Sequence, residues 1–159
     1  MNQELWAKIS AFDFDYPASE YGFSTRLANE NYWTQNFTQF AIAEYKRFMY
    51  LAATSDVMVS PSPIIDAVWH QHLIFTQSYT QFCGLLGKQI QHVPSTHSKA
   101  EVQKFRNAKE NTTRLYEETF GVQPRVIWAF GNMFDSLLLE KAPFKIRSFL
   151  IVGILAVIC

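Results

Sequence analysis

The stretch "QNFTQFAIAEYKRFMYLAAT", Gln35 to Thr54, constrains the fold more than any other. Phe37, Phe40, Ala41, Tyr45, Phe48 and Leu51 recur at i, i+3, i+4 and i+7. That is one face of an α-helix, whereas a strand would alternate residue by residue. Thr34 stands where an N-cap is needed. Glu44 is the one polar interruption of the stripe, and it reads as local scaffolding or solvated surface paired with Arg47 or Arg26. A helix with such a bulky apolar face is stabilised chiefly by what covers it, so other helices must pack on it.

The rest of the chain supplies them. Leu5, Trp6, Ile9 and Phe12 predict a first helix over residues 2–12. "DFDYPASEYG" is a breaker-rich loop. Ser24 is the expected cap of a short helix running to about Tyr32. Ser62 followed by Pro63 is a helix start, and that helix runs to about Phe75, then continues or bends through "TQSYTQFCGLLG" to Gly84 and Gly87. Ser98 is the expected cap of a long charged helix closed by Gly121. Its inner stripe is Val102, Phe105, Ala108, Thr112, Leu115, Tyr116 and Thr119. "GVQPRVIWAFGN" reads as a connector, and Met133 to Glu140 as a last amphipathic stretch. No run alternates convincingly, so the expected fold is all-α, a bundle of about five or six helices.

The two ends of the chain differ. The N-terminus has no continuous apolar segment and does not read as a signal peptide. At the other end, Lys141, Lys145 and Arg147 precede an uncharged apolar run from Phe149 to Cys159. That run would rise about 17 Å as a helix, roughly half of a hydrocarbon core. Either it is the start of a transmembrane helix, or it is a short element packed on the domain. Basic residues directly before it favour the membrane reading. The expected organisation is therefore a globular domain over 1–140, facing the cytoplasm, and a juxtamembrane and membrane segment over 141–159. Lys plus Arg equals Asp plus Glu at 14 each, which leaves no general electrostatic reason to bind nucleic acid. Two isolated cysteines, Cys83 and Cys159, form neither a disulfide framework nor a CxxC pair.

The chemistry-bearing residues gather in "SPSPIIDAVWHQHL". On a helix His70 and His72 lie about 200° apart and cannot easily share one ion. Asp66 and His70, at i, i+4, do share a face. Trp69 supplies an apolar neighbour, and His92 lies downstream in "QHVP". Three readings stay open. Asp66, His70 and His92 can form a buried polar network that ties the helix to that loop. His70, His72, Cys83 and His92, with Asp66, can hold zinc if the chain folds back. The same group can serve as a metal-free catalytic site. Cys83 beside Phe82 also reads as a small buried hydrophobe, and His97 as loop surface. There is no GxSxG, HExxH or phosphate loop.

Taken in order, "EYKRFMYLAA", "PSPIIDAVWHQHLIFTQSYTQFC", "LGKQIQHVP" and "TTRLYEETFGVQPRVIW" resemble the bacterial proteins called glycine-rich domain-containing, which are related to plant glycine-rich domain proteins. The resemblance covers roughly residues 22–128. It implies a helical N-terminal domain, often followed by a transmembrane helix and a glycine-rich tail, and it implies no particular reaction. The family often has two adjacent histidines where this chain has Gln91-His92, and I-W-P where it has Ile127-Trp128-Ala129. No glycine-rich segment is present.

These readings converge on a membrane-tethered helical interaction or scaffolding domain, with no cofactor and a possible protein partner. The alternative is a zinc-binding or metal-dependent hydrolytic domain. A third idea is helix or peptide capture by Phe37, Phe40 and Tyr45.

Overall fold

A computed structural model describes residues 1–93 and 99–129. Among them every regular element is helical: α1 (Gln3–Ala11), α2 (Phe23–Asn31), α3 (Gln35–Thr54), α4 (Pro63–Ile74), α5 (Thr76–Leu86), α6 (Lys99–Phe120) and α7 (Arg125–Trp128). None of the described helices is long and apolar enough to cross a membrane. The expected Ser98 cap, the His97 position, the Met133–Glu140 stretch and the basic-apolar tail lie outside the described residues.

The aromatic helix is the axis of the bundle. α3 packs against α1, α2, α4 and α6, while α4 packs against α2, α3, α5 and α7. Phe37, Ala41, Tyr45, Phe48 and Leu51 are all buried, as the stripe requires. Phe40, at the edge of the stripe, is 37% exposed. Phe37 and Tyr45 are covered by the domain's own helices, so of the three rings only Phe40 is exposed, which speaks against capture by all three.

Local starts follow side-chain chemistry. The Thr34 hydroxyl accepts from Phe37 N, and the Ser62 hydroxyl from Ile65 N, with Pro63 in the first turn where its missing N–H costs nothing. α2 differs from the expectation. Its cap is Gly22, and the side chain that serves its start is Asp15, whose Oδ1 accepts from Ser24 N at 2.8 Å. The histidine helix breaks at Phe75, and the chain restarts as α5. Gly87 ends α5 at φ 69 and Gly121 follows α6 at φ 86, left-handed positions where a Cβ would be strained. The connector after Gly121 contains α7, a single turn that buries Ile127. In α6 the stripe Ala108, Thr112 and Tyr116 is buried, but Val102 is 53% exposed.

Among the polar side chains buried in the described bundle, Glu44 and His72 are fully covered titratable groups. Glu44, fully buried, accepts from Arg47 Nη1 (2.6 Å), Tyr116 OH (2.7 Å) and Trp128 Nε1 (2.8 Å). Of the two roles expected for Glu44, solvated surface is thus corrected, while scaffolding with Arg47 holds: three donors from α3, α6 and α7 satisfy a carboxylate that no water reaches. The other, His72, lies on α4.

Candidate functional site

α4 carries its polar residues on two faces. His72 points inward and is fully buried. Its Nδ1 lies 3.0 Å from the Tyr45 hydroxyl and its Nε2 3.1 Å from Ser78 Oγ. Phe14, Tyr79 and Phe82 stand against the imidazole with centroids 4.7, 5.1 and 5.5 Å away. Burial in this aromatic shell pushes the His72 pKa down to about 3, against a smaller upward effect from its hydrogen bond to Ser78. The same burial drives Tyr45 well above its ordinary value. His72 is therefore a neutral core residue, not a ligand in the exposed group. Cys83, 3% exposed, also sits in the core, outside the group formed by Asp66, His70 and His92.

The other face of α4 is open. Asp66 Oδ1 lies 2.9 Å from His92 Nε2, and Asp66 Oδ2 lies 3.9 Å from His70 Nε2. The two imidazole centroids are 4.5 Å apart. One ligand atom from each of Asp66, His70 and His92 lies within 4.8 Å of the others. The network reading, one of the three left open, expects them to be buried together. Instead the side chains of Asp66 and His70 are 38% and 58% exposed, and only His92, at 17%, is largely covered. The reason is position: α4 turns this face away from α3, toward the segment 88–93 that returns beside it.

That segment is held by a short relay. Trp69 Nε1 donates to the Tyr79 hydroxyl at 3.1 Å, and that hydroxyl donates to the Ile90 carbonyl. Burial, the largest influence, raises the Tyr79 pKa, so the hydroxyl stays a donor. Trp69 also meets the His92 ring edge-on, centroids 4.7 Å apart at 75°. Indole packing and a backbone anchor two residues upstream thus fix the imidazole that faces Asp66.

The three groups stand on a groove of about 840 Å³. One wall is the turn from Ser55 to Pro63, another is segment 88–93, and α6 closes the side with Lys104, Phe105 and Lys109. Spacing on α4 made Asp66 and His70 neighbours in the sequence. The other walls come from segments with no motif, and only tertiary packing brings them together. Three bonds tie the turn to α6: Ser60 N donates to Thr112 Oγ1 at 2.8 Å, Thr112 Oγ1 to the Ser60 carbonyl at 2.9 Å, and Asn111 Nδ2 to the Met58 carbonyl at 3.1 Å.

A carboxylate with two imidazoles at this separation is a donor set suited to a divalent transition metal, since zinc sites with catalytic or exchangeable positions use three protein ligands. Without an ion the same atoms make a carboxylate–imidazole hydrogen bond with His70 beside it.

The model of the UCP032817-like family matches residues 14–119. Two proteins of Arabidopsis thaliana are similar to the chain. Glycine-rich domain-containing protein 2 is 31% identical over 103 residues, 61% of this chain and 13% of that protein. Glycine-rich domain-containing protein 1 is 30% identical over 103 residues, 61% of this chain and 12% of that protein. The chain therefore spans only a small part of the length of these relatives. No solved structure matches it. The resemblance read from the sequence holds at the level of the family, and the matched region takes in the aromatic helix, both faces of the histidine helix and most of α6: the chain belongs to the UCP032817-like family.

Proposed function

We propose that this domain binds one divalent transition-metal ion through Asp66, His70 and His92 and presents it to ligands in the adjoining groove. The observation that carries the reading is the convergence of three ligand atoms within 4.8 Å of one another on an open groove. A zinc ion held at about 2.0–2.2 Å from each donor needs those donors roughly 3–3.6 Å apart. Asp66 and His92 already lie 2.9 Å apart, and the ion would replace the proton between them. His70 stands 3.9 Å from the second carboxylate oxygen, and its exposed ring is free of core packing, so a small rotation brings it in. Three protein ligands leave a coordination position facing the groove.

Metal content of the purified chain tests this. After incubation with zinc and removal of excess, about one equivalent should remain. His70→Ala and His92→Ala should each weaken binding by about tenfold or more, while Cys83→Ala, altering a core position, leaves stoichiometry unchanged. Retention of less than about a tenth of an equivalent by the parent, or unchanged binding in His70→Ala, would remove the proposal.

A second reading concerns placement. Lys141, Lys145 and Arg147 before the apolar run Phe149–Cys159 support tethering of the domain to a membrane with the basic side in the cytoplasm. Fractionation decides it: recovery of the chain in the supernatant of a carbonate wash, without detergent, would end this reading.

A further inference from the structure

We propose that the groove beside Asp66, His70 and His92 takes an amphipathic anion, a small organic carboxylate or phosphate monoester, with its anionic group on the metal and its apolar body along the groove. The inference rests on the metal reading above and adds the class of ligand. Three observations support it. First, the charges lining the groove are unequal: Lys88, Lys104 and Lys109 against Asp56 and Asp66. Asp66 is one of the proposed metal ligands and its charge is counted with the ion, which leaves three ammonium groups against the Asp56 carboxylate. Lys88 is held in place, its Nζ donating to the Ala52 carbonyl at the end of α3 at 3.2 Å. Lys104 and Lys109 form no ion pair among the described residues. Second, a divalent ion with one carboxylate and two neutral imidazoles keeps a net positive charge, which favours an anion at its open position. Third, the groove between these charges is apolar, lined by Met58, Val59, Trp69, Ile90 and Phe105. Its size is that of pockets that enclose small molecules. A simple inorganic anion would leave that surface wet, and a neutral hydrocarbon would leave the cations unused.

Hexyl phosphate, hexanoate and hexylammonium, titrated calorimetrically into the zinc-loaded chain, test the inference, with inorganic phosphate and acetate as head-group controls. Hexyl phosphate or hexanoate should bind at least about tenfold more tightly than its bare head group and than hexylammonium. Whichever of the two binds more tightly identifies the head group. Lys104→Glu/Lys109→Glu, both exposed positions, should weaken the anion by about tenfold while zinc stoichiometry stays unchanged. Zinc retained at one equivalent with no preference for the anions over hexylammonium, or with the double variant unaffected, overturns this inference and leaves the metal reading standing. Anion binding of equal strength by a zinc-free chain overturns the metal as its anchor. Loss of zinc binding itself refutes the metal reading, and this inference with it.

Discussion

The indole Nε1 of Trp128 donates to Glu44 Oε2 at 2.8 Å, although the two residues stand 84 positions apart. The same oxygen accepts from the Tyr116 hydroxyl, and Arg47 closes the group from the partly exposed side. Burial, with the neighbouring carboxylate, pushes the Tyr116 pKa up to about 12, so its hydroxyl remains a donor at any working pH. One carboxylate thus joins α3, α6 and the α7 turn. A buried charge with its hydrogen bonds made is only modestly stabilising, but removing the carboxylate takes the acceptor from the Trp128 indole and leaves Arg47 Nη1 and the Tyr116 hydroxyl bonded to each other alone.

Glu44→Ala should therefore destabilise the domain by about 1–3 kcal/mol, since the Trp128 indole loses its acceptor and the Tyr116 hydroxyl keeps only the Arg47 donor. Glu44→Gln should cost less, because an amide oxygen still accepts from the indole and the phenol. Urea unfolding of both variants measures the difference. Equal stabilities for Glu44→Ala and the parent would contradict the role of this carboxylate as the joint of three helices.

His72 predicts an acid sensitivity that begins well above the carboxylate range. Its pKa falls from 6.5 when unfolded to about 3 in the aromatic shell. Above pH 6.5 the residue is neutral in both states and stability is complete. Below it the unfolded chain takes up a proton that the folded chain refuses, so stability drops as pH falls toward 3. Between pH 7 and pH 5 this one group should remove about 2 kcal/mol. The measurement is the pH slope of unfolding free energy in chelator, compared with His72→Gln. The variant is expected to be less stable but flatter over that window. A parent slope no steeper than the variant's would show that His72 is accessible to protons when folded.

Much of the fold could be read from the chain because helical periodicity is a local property. The α3 stripe, the Thr34 and Ser62 caps and the Gly87 stop each depend on residues within one or two turns. The site was legible in the same measure: Asp66 and His70 face together because they are four apart, and His72 faces away from them because it is two from His70. What sequence could not give is burial. Glu44 and Asp66 are both carboxylates beside a basic partner on a helix, yet the first is sealed by Trp128 and Tyr116 while the second opens on a groove. Only the packing of α6 and α7, remote in sequence, separates the two. The α2 cap fell to the same limit, since its acceptor is Asp15, nine residues before Ser24.

Asp15→Ala should accordingly cost about 0.5–2 kcal/mol, the loss expected when a helix start loses its side-chain acceptor. A second change tests the same contact from the other side. A Cβ at Gly22 would stand 2.7 Å from Asp15 Oδ1, too close for the cap to keep its place. Gly22→Ala should thus destabilise the parent but have a smaller effect in the Asp15→Ala background. A double-mutant cycle by thermal unfolding reads this coupling. Fully additive effects would show that Asp15 and the α2 start act independently.

The Trp69–Tyr79–Ile90 relay links the core to the proposed metal ligands, and that link can be broken without touching them. Tyr79 is 5% exposed, and its hydroxyl both receives the Trp69 indole and holds the Ile90 carbonyl, two residues before His92. Tyr79→Phe keeps the ring and removes only the hydroxyl. It leaves one buried donor and one buried acceptor unpaired, a loss of about 1–3 kcal/mol in stability. Segment 88–93 then loses its anchor, and His92 its fixed distance from Asp66. Zinc affinity should fall by about 10–100-fold, the range found when groups that orient metal-bound histidines are removed. Measuring both quantities on the same preparation separates the two effects. A Tyr79→Phe chain that is less stable but binds zinc as tightly as the parent would mean that Trp69 packing alone fixes His92. A chain that loses both shows that the phenol holds the segment in register with α4.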